Sequence, residues 1–285
     1  MKLRLGQFVS FSFLTLLLTT FAWRYSKQLS VPLPLVKSQL SFVYGDILAT
    51  VHAPASKGCA LAPRSVQAFC YEGYGRHLFL SVKAPFRERI LAFIATFPLG
   101  PAISAFNSLG TGFYFVRLPP REMVELLKKT LGPDDIRVDY AVNGWAFAKT
   151  RAEKLPPQTA LAICDDFVDL GLRDNCLFGV GRASYFVSQD VGGVIESAEA
   201  EREIWFLRGY GFAATFAGQV EHSQWSALPE SARRQLLEGA KLAYARRLIY
   251  NDTDDGPAEA SSATDVLRIA HCLAQYKQSL GCLEP

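Results

Sequence analysis

Six short strings in this chain resemble one another, and their spacing constrains the fold more than any other feature. They are YEGYGRHLFL (71–80), SLGTGFYFVR (108–117), VNGWAFAKTR (142–151), LFGVGRASYF (177–186), LRGYGFAATF (207–216) and LEGAKLAYAR (237–246). Each carries a glycine, one variable residue, usually a second glycine or small residue, and then apolar residues three and four apart. The leading glycines are Gly73, Gly110, Gly144, Gly179, Gly209 and Gly239, with spacings of 37, 34, 35, 30 and 30 residues. That is the period of two-helix repeats. Apolar residues at helical spacing, with no sustained alternation, point the same way. The expectation is an all-α chain: a right-handed array of about six αα-hairpins of the tetratricopeptide or HEAT type.

A longer period overlays the short one. Cys70 to Arg76 (CYEGYGR) matches Cys176 to Arg182 (CLFGVGR), and each has a cysteine 11 or 12 positions upstream. Gly144 to Arg151 and Gly239 to Arg246 share one spacing, and each is followed by another cysteine couple. A repeat domain over 59–285 is therefore expected, in two related halves of about 59–163 and 164–285. Residues 28–58 read as linker and lead-in, and 1–27 as a separate N-terminal segment. Glycine costs helix propensity, about 1 kcal/mol against alanine, so six recurrences need a reason. Placed at the start of a hairpin's second helix, glycine lets neighbouring helices approach closely. The structural glycines are the six leading ones with Gly75, Gly112, Gly181 and Gly211. Phe79, Phe115, Phe147, Phe186 and Phe216, a few residues downstream, are expected to face the core. Arg121–Thr130, after Pro119-Pro120, and Ser231–Tyr250 read as further helices, as does Ala263–Leu280.

Between Arg4 and Arg24 lie 19 residues without a charge. As a helix they would span roughly 28 Å, close to the bilayer's hydrocarbon core. Residues 5–23 are thus expected to be a transmembrane anchor, with a cleaved signal (at Thr20-Phe21-Ala22) or a helix of the soluble fold as alternatives. The cysteines fall into three couples, which favours local bridges Cys59–Cys70, Cys164–Cys176 and Cys272–Cys282 over six buried thiols. Bridges need an oxidising compartment. A single-pass protein of the cytoplasmic membrane follows, its body on the extracytoplasmic, periplasmic side.

Chemistry is harder to find. The chain has 30 basic and 27 acidic residues and no basic block, so nucleic acid is not an expected partner. The Gly-x-Gly strings lack the third glycine of a dinucleotide fingerprint and follow no strand, so no cofactor is expected. The four histidines, His52, His77, His222 and His271, are scattered, and no metal site is expected. No catalytic residue stands out. Arg76 and Arg182 are unusual, because a cation in a helix's first turn opposes its dipole. Glu72, Asp165, Asp166, Asp169 and Asp174 offer structural ion pairs for them. Alternatively Glu72, Arg76, Arg182 and Arg208 line one face of the array and bind a partner or an anionic ligand.

The order of these strings resembles a bacterial family of unknown function noted beside enediyne polyketide genes. That family has an early YEG string, then GWA-x-A-x-x-R, F-x-G-x-GR-x-x-x-F, W-x-x-G-x-G-x-A and a closing G-x-x-x-A-x-AR. Here these are Tyr71-Glu72-Gly73, Gly144 to Arg151, Phe178 to Phe186, Trp205 to Ala213, and Gly239 to Arg246, a likeness over roughly residues 68–282. Arg76 stands where the family tends to be small. The resemblance implies no activity. Its gene neighbourhoods, with membrane and secreted repeat proteins, imply an assembly at the membrane. The expected role is a membrane-tethered, non-catalytic scaffold or accessory subunit whose partners are other membrane or periplasmic proteins. The alternative is an enzyme or carrier holding an apolar metabolite in a helical groove.

Overall fold

The computed structural model describes residues 33–62, 64–81, 83–97, 104–188, 200–216 and 228–249. Every regular element among the described residues is helical. Seven long helices carry the fold: α1 (Leu33–Thr50), α3 (Arg64–Ser81), α5 (Ala105–Phe115), α7 (Ile136–Ala152), α9 (Leu170–Val187), α10 (Ala200–Phe216) and α11 (Glu230–Ile249). Shorter helices lie between the earlier ones: α2 (Ala55–Gly58), α4 (Phe86–Thr96), α6 (Pro120–Leu131) and α8 (Pro157–Ala162).

Local chemistry sets many of the boundaries. Proline occupies the N-cap of α2, α4, α6 and α8, where its missing N–H costs nothing. The side chain of Asp135 caps α7 and that of Asp169 caps α9, each accepting from backbone N–H groups of the first turn. α1, α5 and α7 end alike. His52, Arg117 and Lys154 take φ of 54°, 58° and 49°, and the next residue's N–H in each case bonds back five residues, to Leu48, Phe113 and Thr150. This is the left-handed helix stop usually given to glycine.

Each long helix packs on the next, in chain order, to make one row. Neighbours run in the same direction. Ala68 meets Ser104 and Glu72 meets Ser108 across α3 and α5, while Asn143 meets Asn175 and Phe147 meets Phe186 across α7 and α9. The glycines set how close the helices come. Gly45 and Gly73 face each other's helix across α1 and α3, as do Gly110 and Gly144 across α5 and α7. Gly181 and Gly209, then Gly211 and Gly239, repeat the arrangement across α9, α10 and α11. A Cβ on any of these eight would fall within 3.0 Å of the neighbour's backbone. The Gly-x-Gly spacing follows from this. Positions two apart on a helix are about 200° apart, so one glycine clears the preceding helix and the other the following one. Gly75 and Gly112 instead leave room for the rings of Phe93 and Phe79.

One side of the row is covered. α4 and α6 bury Ile90, Phe93, Met123 and Leu127 against it. Phe79, Phe86 and Phe113 cluster there edge-on and stacked, beside Phe93, Phe97 and Phe106. Two disulfides fasten the segments that lead into long helices: Cys59 to Cys70 of α3, and Cys164 to Cys176 of α9. Cys70 and Cys176 each lie three positions before the leading glycine of their helix.

Several expectations are corrected. The glycines lie in the middle of long helices, not at their starts, because the point of closest approach is the crossing and not the turn. Arg76 and Arg182 are consequently mid-helix and oppose no helix N-terminus. Within the stretch expected as lead-in, α1 joins the row through its own Gly45. Phe79 is in the core, but Phe115 and Phe186 are 53% and 36% exposed. Among the described residues no helix is long and apolar enough to cross a membrane. Residues 5–23, the 263–280 helix and the Cys272–Cys282 pair lie outside the described residues.

Candidate functional site

The side of the row that no described helix covers holds an open cavity of about 450 Å³. Residues of α1, α3, α5, α7, α9 and α10 all line it. Five inter-helix steps of about 8 Å would spread a flat row over about 40 Å. One cavity touching six helices therefore means that this face is concave.

The lining follows a register set by the glycines. Positions four and one before the leading glycine, and three and seven after it, fall on one helical stripe. In α3 these are Phe69, Glu72 and Arg76; in α7, Phe147 and Arg151; in α9, Arg182 and Phe186; in α10, Phe212. α5 is shorter and shifted, contributing Asn107, Ser108, Thr111 and Phe115. α1 adds Phe42 at its edge.

The chemistry differs along the groove. At the α1–α3 end Arg76 lies over the Phe42 ring, 4.6 Å from its centroid, and its Nη2 donates to Asp46 Oδ1 at 3.3 Å. Next to it, Asn107 donates through Nδ2 to Glu72 Oε1 at 3.3 Å, and the Ser108 hydroxyl donates to the Glu72 carbonyl. Thr111 donates to the Asn107 and Gly144 carbonyls. At the α7–α9 end, arginines and rings alternate. Arg182 lies 5.1 Å from the Phe147 centroid and 5.6 Å from that of Phe212, while Arg151 lies 5.9 Å from Phe147 and 5.1 Å from Phe186. Such contacts hold guanidinium planes in place. Arg182 also donates through Nη1 to Asn143 Oδ1 at 2.7 Å. Arg151 is open to solvent at the mouth. The surrounding groove wall nevertheless desolvates it and lowers its pKa.

Of the four residues singled out from sequence, the structure brings Glu72, Arg76 and Arg182 to this cavity and leaves Arg208 out of it. Arg208 stacks on Trp205 at 4.6 Å and donates to Gln235 Oε1 at 2.9 Å, tying α10 to α11. The expected acidic partners are otherwise engaged: Asp165 faces Arg173 and Asp169 faces Lys128. Asp139 and Asp174 have raised pKa values, first through desolvation. Sequence reading missed Arg151, Asn107 and the groove-facing role of Phe115, Phe147 and Phe186. The stripe three and seven residues after each glycine would have found Phe147, Arg151, Arg182 and Phe186 together.

The described residues thus form an all-helical row with an aromatic, arginine-bearing groove across one face. The chain belongs to the DUF1702 family, described as proteins of unknown function, whose family model matches residues 40–274. That span runs from α1 past the end of α11. No curated protein and no solved structure matches the chain.

Proposed function

We propose that the concave face binds an apolar small molecule, so that the protein acts as a carrier or a metabolite-handling protein. The observation that carries this reading is the set of aromatic rings, Phe115, Phe147 and Phe186, left open to a cavity and not packed into the core. A cavity of about 450 Å³ lies within the usual range for small-molecule sites. The row itself we read as a right-handed array of the tetratricopeptide or HEAT type, whose curvature makes the groove.

Native mass spectrometry of the purified full chain tests the proposal. The expected result is a retained small molecule that the Phe147→Asp, Phe186→Asp double variant has lost while keeping its helical circular dichroism. A wild-type chain that is empty, and that takes up no amphiphile from added mixtures, overturns it.

A membrane tether through residues 5–23 and a body outside the cytoplasm remain part of the proposal. They are supported by the uncharged N-terminal run and by two disulfides, which persist in oxidising compartments. Protease protection in spheroplasts checks the side.

A second reading, a scaffold for membrane or periplasmic proteins, is favoured by α1. Val43, Ile47 and Val51 are 50%, 40% and 64% exposed at four-residue spacing along α1 and just past its end, a stripe suited to another apolar surface. Co-purification from detergent-solubilised membranes that Val43→Asp, Ile47→Asp abolishes would support it. Unchanged partners in that variant would remove it.

A further inference from the structure

Resting on the groove reading, we infer that the ligand is an acid: an elongated apolar molecule with an anionic group at Arg151 on α7 and a hydrogen-bond donor at Asn107 on α5.

The anionic end follows from which cations already have an anion. Arg76 is neutralised by Asp46. Arg151 has no carboxylate within ion-pairing distance among the described residues, and it lies beside the rings of Phe147 and Phe186. Those rings lie beside the guanidinium and do not neutralise its charge. A guanidinium set beside aromatic rings, open to the cavity and with no carboxylate partner among the described residues, is a ready fork for a carboxylate or phosphate. Phe147 and Phe186, on the same helix stripes, give the neighbouring apolar body its first contacts.

The donor end follows from Asn107. Its Nδ2 is held by Glu72 Oε1, and a carboxylate accepts only, so the opposite amide atom is the oxygen. That Oδ1 is buried and accepts no hydrogen bond. Asn107 is 7% exposed and lines the cavity. Buried acceptors in native proteins are almost always satisfied, so a hydroxyl or N–H is due here. Asn107 lies level with Gly144 on α7. Arg151 is seven residues farther, about 10 Å along the axis and one helix spacing of about 8 Å across. The two groups are thus roughly 13 Å apart, the reach of a medium-length alkyl chain.

Calorimetric titration of the amphipol-held full chain tests both ends. Laurate is expected to bind at least about tenfold more tightly than lauryl alcohol or laurylamine. Arg151→Met is expected to erase that preference. ω-Hydroxylaurate is expected to bind several-fold more tightly than laurate, and Asn107→Leu to remove only this advantage, with laurate affinity itself reporting that the variant is folded. Lauryl phosphate in the same assay separates a phosphate-bearing from a carboxylate-bearing ligand, and preference for either over the alcohol supports the acid. Equal binding of laurate and lauryl alcohol, or a preference that survives Arg151→Met, overturns the anionic end. A hydroxyl advantage that is absent, or that persists in Asn107→Leu, overturns the donor end. In each of these cases the groove still binds amphiphiles, and the broader reading stands. If none of the probes binds, the groove reading falls and takes this one with it.

Discussion

A single methyl group decides whether two of these helices can meet. Gly144 sits against the Asn107 backbone, and Gly110 against that of Ala141. Gly144→Ala must push α5 and α7 apart or shear them, and neither helix has a side chain at the contact that could yield. The expected cost is about 3 kcal/mol or more, beyond ordinary overpacking, read as a drop in the denaturant midpoint. Gly171→Ala is the control. Its Cβ would meet only Asp169 Oδ1 at 3.4 Å, so helix propensity should leave stability unchanged or raise it by up to about 1 kcal/mol. At the helix stops the sign reverses. Lys154 holds φ of 49°, a conformation that costs a side chain about 1 kcal/mol. Lys154→Gly should raise the melting temperature by about 2–4 °C, and Lys154→Val should lower it. One carboxylate gives a pH dependence of known sign. The hydrogen bonds from Arg137 hold Asp135 below the usual carboxylate range. A group depressed in the folded state stabilises above its unfolded pKa and loses that contribution as pH falls through the folded one. Asp135→Asn should therefore narrow the stability gap between pH 7 and pH 3, measured by thermal melts at both.

At the scale of elements, how much was legible depended on how many neighbours a helix has. α9 and α10 are sandwiched, show two glycines each, and stand out in the sequence. α1 has one described long-helix neighbour, meets it through Gly45 alone, and breaks the pattern, so it read as lead-in. α11 keeps Gly239 alone against its one described neighbour. α7 uses Ala146 in place of a second glycine, with that Cβ 3.2 Å from where one on Gly179 would lie. α6 was legible from its two prolines and charged outer face, because it packs on one side only. What sequence could not supply was the position of the crossings. Treating the glycines as helix starts put the residues after them in the wrong register. Phe115 and Phe186 were sent to the core and Arg151 was passed over, although all three stand in the repeated strings. The disulfides are a test at this scale. Cys59–Cys70 and Cys164–Cys176 close short loops onto α3 and α9, so Cys59→Ser, Cys70→Ser should cost about 2–3 kcal/mol. The loss should appear first as faster amide exchange in 55–70, with the distant α9 and α10 amides unchanged.

For the whole molecule, close crossings and a one-sided cover act together. Glycine contacts bring α1 with α3, α5 with α7, and α9 through α11 tightly together, while α4 and α6 fill the other side with aromatic bulk. Among the described residues the row is filled on one side and carries the cavity on the other. The concave face then collects the same stripe from each helix, which is why arginines and rings far apart in sequence line one groove. This makes the groove a product of the repeat itself and separates it from the surface features of any single helix. A crystal structure of the full chain grown with laurate tests that most directly. Density for the acid along Phe147 and Phe186, with its carboxylate at Arg151, is the predicted result. A groove closed by the chain's own residues, or laurate bound elsewhere with the groove empty, would contradict it.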